Sequence, residues 1–165
     1  MLAALKARFN GADDFCLREL TAGGLVLYAL FLDGMTSGSD ISDFVVRPLL
    51  ENLRPGTPEE LYAQAQRGAV WCAVCEEADS AEAAADKLTH GYCVVVFPGL
   101  AKALCFEAKS GTRRGPSAPE SENTVKGAKD AFTETIRTNT SLIRRHLRTP
   151  ELRLVNKTVG QRTQT

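Results

Sequence analysis

Apolar residues along this chain follow two spacings, one of strands and one of helices. Phe15-Cys-Leu-Arg-Glu-Leu20 alternates and predicts a short strand; Gly23-Gly24 then turns the chain. Leu25-Val-Leu-Tyr-Ala-Leu-Phe-Leu32 is a near-continuous apolar run, as expected of a strand buried on both faces, and Asp33-Gly34 ends it. Ile41, Phe44, Val45 and Leu49 recur on one helical face behind Ser39 as N-cap. Pro48 lies inside that pattern and, lacking an amide hydrogen, predicts a kink or break. Thr57-Pro58-Glu59-Glu60 is a capping box with proline at the first helical position, and its helix stops at Gly68. Trp71 to Glu76 suits a strand, and Ser80 caps an alanine-rich helix closing at His90-Gly91. Tyr92 to Phe97 and Lys102 to Lys109 are two strands joined at Pro98-Gly99, a hairpin signal.

The pattern breaks between Ser110 and Ala128, where Gly111, Gly115, Pro116, Ser117, Pro119, Ser121 and Gly127 oppose regular structure. Beyond it, Phe132, Ile136, Ile143 and Leu147 return at helical spacing, with Leu142 alongside. They predict an amphipathic helix of about five turns, closed by Thr149-Pro150. Leu152 to Val155 has the composition to begin another strand. The expected class is α/β in the mixed α+β sense, a small mixed sheet with packed helices. Residues 1–109 form a first subdomain, 110–131 an irregular connector, and 132–165 open a second, unfinished one.

Composition adds a charge asymmetry. The chain has 165 residues, 44% apolar and 24% charged, with 20 basic and 20 acidic side chains. Up to Ala108 there are 8 Lys and Arg against 15 Asp and Glu, a balance of −7; from Lys109 onward there are 12 against 5, a balance of +7. Such polarity points to contact between the halves or to a basic segment facing a partner. No apolar run approaches the roughly 18 residues of a membrane span. The N-terminus lacks a secretory signal pattern, so a soluble chain in a reducing compartment is expected.

Few residue patterns suggest reaction chemistry. Cys72-Ala-Val-Cys75 has CxxC spacing but falls in an expected strand, which sends the two thiols to opposite faces instead of placing one at a helix start. His90 and Cys93 could complete a zinc set only by converging from several elements, so the cysteines are read as structural. Gly111-x-x-x-Gly115 lacks the Lys-Ser/Thr ending of a P-loop, and neither His90 nor His146 has a triad-like neighbour. No cofactor is called for. Arg137, Arg144, Arg145, Arg148 and Arg153 could track a phosphate backbone, which makes nucleic-acid binding over residues 137–153 the alternative function. The near absence of aromatics there, Phe132 apart, counts against it.

A longer pattern is more specific. The run Arg113-Arg-Gly-Pro-Ser-Ala-Pro-Glu-Ser-Glu-Asn-Thr-Val-Lys-Gly-Ala-Lys-Asp-Ala-Phe132 resembles a block of the GerA family of spore germination proteins. Thr138-Asn-Thr-Ser-Leu-Ile-Arg-Arg-His146 followed by Thr149-Pro150 resembles the helix that comes after it, and Phe31-Leu-Asp-Gly34 with Pro48-Leu-Leu50 resembles the family's early strand and helix. Departures occur at Ala118, Lys126, Ala128, Lys129 and Ala131, where the family prefers Glu, Arg, Pro, Arg and Gly. The resemblance implies the soluble N-terminal region of a germinant receptor A subunit, on the cytoplasmic side of the spore inner membrane. It further implies a membrane domain beyond this chain, and sibling copies and other receptor subunits as partners, without enzymatic activity. On that reading Arg113, Arg114, Glu120, Glu122 and Gly127 fix the connector. Arg137, Asn139, Arg144, Arg145 and Pro150 belong to a docking helix whose arginines face acidic surface on the first subdomain or on a neighbour.

Overall fold

In the computed structural model, which describes residues 1–110 and 132–158, the predicted strand pair closes into a hairpin. β1 (Phe15–Ala22) and β2 (Leu25–Leu32) pair antiparallel from Phe15 against Leu32 to Ala22 against Leu25. The turn needs glycine: Gly23 has φ +57°, and a Cβ there would stand 2.8 Å from Leu61 Cδ2. The sheet continues through β4 (Tyr92–Val96) and β5 (Ala103–Glu107) to β3 (Cys75–Ala78), in the order β1-β2-β4-β5-β3. The mixed α+β class holds, with five strands that are antiparallel throughout instead of mixed in direction. The helices after β2 carry the chain to the far edge before β4 and β5 fill the centre as a hairpin, and among the described residues no two strands pair parallel.

Strand alternation divides the core between the two sheet faces. One face buries Leu20, Leu27, Ala29, Cys93, Val95, Leu104 and Phe106. Against it lie α2 (Gly38–Asp40), a π-helical turn (Ile41–Val46) and α3 (Arg47–Asn52), followed by α4 (Pro58–Gln64). The other face buries Leu30, Leu32, Val94, Val96, Ala103 and Cys105 beneath α1 (Leu2–Arg8) and α5 (Ala81–Thr89). Sequence reading did not identify α1, although Leu2, Leu5 and Phe9 have helical spacing; Phe9 stacks on Phe15 with ring centroids 4.9 Å apart.

Local chemistry explains where elements begin and where expectation and structure part. Thr57 and Glu60 form the reciprocal capping box, and Ser80 accepts from the Ala83 amide. At the earlier helix the cap is Ser37, which accepts from the Asp40 amide at 3.3 Å, and not Ser39. Pro48 does not break this helix. The π-helical turn precedes it, and the Phe44 carbonyl, which Pro48 cannot satisfy, accepts the Trp71 amide at 3.2 Å instead. The wider turn shifts the phase, so Val46 goes inward and Phe44 is half exposed. The strand expected over Trp71 to Glu76 begins only at Cys75, because the preceding residues turn to make the Trp71 bond.

Candidate functional site

Residues 132–158 return to the first unit, and their docking site is built by the ends of β1 and β2. Asp33 follows β2, and its amide donates to the Asp14 carbonyl at 2.8 Å, so the two acids lie side by side. Gly34 comes next with φ +81°. Residues beyond it pair with the end of β5: Ser37 N donates to Ala108 O at 2.8 Å, and Ser110 N to Met35 O at 2.9 Å. Asp14, Asp33, Gly34 and Ser110 thus form one platform.

On this platform lies α6 (Ile136–His146), 11 residues long and so about three turns instead of five. The residues before it are held by Asn139, whose Oδ1 accepts from Thr133 N at 2.7 Å while Nδ2 donates to Thr133 O at 2.7 Å. That pairing fixes a non-helical lead-in. Arg144 is the centre of the contact. Its Nε and Nη2 donate to both Asp14 carboxylate oxygens at 2.7 and 2.8 Å, and Nη1 donates to Thr149 O at 3.2 Å. Arg144 is 1% exposed and Asp14 7%, so both charges are desolvated and depend on each other. Arg137 pairs with Asp33 nearer the surface, and Arg145 Nη2 donates to Ser110 O at 3.3 Å. The Pro150 carbonyl accepts from Arg153, which also donates to Arg8 O at 2.7 Å. Arg113, Arg114, Glu120, Glu122 and Gly127 lie outside the described residues.

Most of the apolar stripe that predicts the helix points outward, with Ile143 half-buried. Phe132 is 69% exposed, Ile136 68% and Leu147 54%, whereas Ser141, Leu142 and Arg144 are buried. The helix is amphipathic as predicted, but its docked face is the charged one. Leu152 to Val155 adds no strand; Leu154 O accepts the Asp13 amide at 2.9 Å, and Asn156 N donates to Asp13 Oδ2 at 2.7 Å. Sequence reasoning did not single out Asp14 or Ser110. The −7 and +7 halves were the one signal that basic residues here would find acidic ones there.

The basic row is directed at the protein itself. Arg148 donates to Arg145 O at 3.3 Å, so each of the five arginines named for a phosphate backbone has a protein acceptor. Burial disfavours the thiolate at several of the cysteines. Burial, then the nearby Cys72, Glu77 and Glu76, pushes the Cys75 thiol up to about 11, and burial pushes Cys105 up to about 12. Among the described residues no group of three or more His, Cys, Asp or Glu could hold a metal ion. No described helix is long and apolar enough to cross a membrane.

A sheet with helices on both faces and a returning arginine-rich helix fits a domain of the spore germination proteins. The Bacillus/Clostridium GerA spore germination protein family matches residues 3–165, and the chain belongs to that family. It is 29% identical over 157 residues to the uncharacterized membrane protein YfkQ of Bacillus subtilis (strain 168), covering 94% of this chain and 30% of that protein. Spore germination protein A1 of the same organism is 27% identical over 152 residues, covering 92% and 30%. The N-terminal domain of the A subunit of the Bacillus megaterium spore germinant receptor GerK3 shares the fold, with a TM-score of 0.69 and 21% identity, covering 98% of this chain and 59% of that one. The chain therefore spans about a third of the length of the curated relatives it matches.

Proposed function

We propose that this chain is a non-enzymatic assembly and signalling module of a membrane spore germinant receptor, facing the cytoplasmic side of the spore inner membrane. Residues 1–109 act as the first subdomain, 110–131 as the connector, and 132–165 as the opening of a second subdomain. Sibling copies and other receptor subunits are its partners. The observation that carries this reading is the orientation of α6. Its charged face is used up on Asp14 and Asp33, while Ile136 and Leu147 stay exposed on a family member's docking helix. Exposed apolar rows of this kind are what assembly interfaces cover.

The test is a chromosomal Ile136→Glu/Leu147→Glu variant in the source organism, compared with wild-type and deletion strains. Nutrient-triggered germination should fall toward the deletion strain although the altered protein is present at normal level. Wild-type germination by that variant, in a strain whose deletion is defective, would remove the assembly role.

A further inference from the structure

We propose that α6 and the segment after it form a latch that opens as one unit while the five-stranded sheet stays folded, with the Asp14–Arg144 pair as its catch. The basis is the kind of contact on each side. The sheet is held by two continuous apolar layers. The returning segment buries one apolar side chain, Leu142, leaves Ile143, Leu152 and Leu154 half-buried, and is attached mainly through polar groups: Arg137 to Asp33, Arg144 to Asp14, Arg145 to Ser110, Arg153 to Arg8, and Asp13 to Leu154 and Asn156. Polar contacts exchange for water at little net cost, whereas the apolar layers do not. A segment with few buried apolar contacts opens before the core does.

Asp14 and Arg144 set the threshold. Their guanidinium–carboxylate fork is buried, so removing one partner strands the other charge away from water and favours the open state, in which it is hydrated. Arg137–Asp33 is half exposed and contributes little. The catch also joins distant stretches, because Asp14 accepts the Asp33 amide and Asp13 holds residues 154 and 156. Release at Arg144 therefore frees α6 and residues 152–156 together, while the backbone bond between Asp33 and Asp14 stays with the sheet.

Hydrogen–deuterium exchange on the whole chain tests the latch. In wild-type protein, amides of α6 and of residues 152–156 should exchange through one opening with a small urea dependence, and those of β2 and β4 through a larger one. Asp14→Asn and Arg144→Met should each speed exchange in α6 and 152–156 together, by roughly tenfold or more, with β2 and β4 unchanged. If both variants fail to fold, the wild-type urea dependence decides alone. One shared opening for α6 and the sheet, or α6 exchange unaffected by either substitution, would overturn the proposal.

Discussion

Gly34 lies directly beneath Ser141 of the docked helix. A Cβ on Gly34 would stand 3.4 Å from Ser141 Cβ and 3.4 Å from the Arg137 carbonyl oxygen, at a backbone φ of +81°. Two penalties coincide there: a left-handed conformation costs a side chain about 1–3 kcal/mol, and a branched side chain would lift the helix from its platform. Gly34→Ala should be mildly destabilising and Gly34→Val strongly so, with exchange protection lost first in α6. Urea midpoints beside α6 exchange rates check this; a Val variant as stable as wild type would mean that the approach does not seat the helix.

The edge strand β3 is fastened on both faces by the same trio. Tyr62 donates to Glu77 at 2.8 Å with Lys102 over the Tyr62 ring, and Tyr92 donates to Glu76 at 2.6 Å with Lys87 over its ring. The bond from Lys87, then that from Tyr92, holds the Glu76 carboxyl below its ordinary value; the Tyr62 bond does so for Glu77. A carboxylate whose folded pKa is depressed contributes stability that is present above its unfolded value. That stability is lost as pH falls through the carboxylate range to the folded value. Between about pH 6 and about pH 3, the urea midpoint of wild type should fall more steeply than that of the Tyr62→Phe/Tyr92→Phe variant. Parallel curves would show that the tyrosines do not supply the shift.

Cys75 should be chemically quiet. With the Cys75 thiol raised to about 11, its thiolate fraction at pH 8 is on the order of a hundredfold below that of an unperturbed cysteine. Cys72 Sγ lies 3.2 Å from the Glu107 carbonyl, a position that packs it against the β5 end. Iodoacetamide labelling of native protein, read at each cysteine by mass spectrometry, should therefore be slow at Cys75 and complete only on unfolding. Labelling of Cys75 at the rate of a free thiol would reopen a redox role.

What could be read from the sequence was what local chemistry settles. Thr57 and Glu60 cap a helix through each other, Ser80 caps another, and Pro98-Gly99 joins β4 to β5, all within a few residues. The π-helical turn before Pro48 was not legible, since it depends on Trp71 arriving from elsewhere to take the Phe44 carbonyl. The acids at the docking site were equally hidden: Arg137 and Arg144 find partners 104 and 130 residues away. A charge imbalance between halves can suggest such pairs without naming them. Periodicity has a further limit. It found the apolar stripe of α6 and not which face the fold would bury.

That orientation gives a stability contrast within a single helix. Leu142 is 5% exposed and Ile136 68%. Leu142→Ala should cost about 2–4 kcal/mol through lost burial and the cavity left behind. Ile136→Ser removes a side chain that is mostly in water and should change stability by roughly 0.5 kcal/mol or less. Had the helix docked through its apolar stripe, the order would reverse, because Ile136 would then lie in the contact and Leu142 at its margin. Equilibrium urea unfolding of the two variants in dilute solution, where association does not contribute, distinguishes the faces. A larger loss at Ile136 than at Leu142 would mean that α6 sits with its stripe inward.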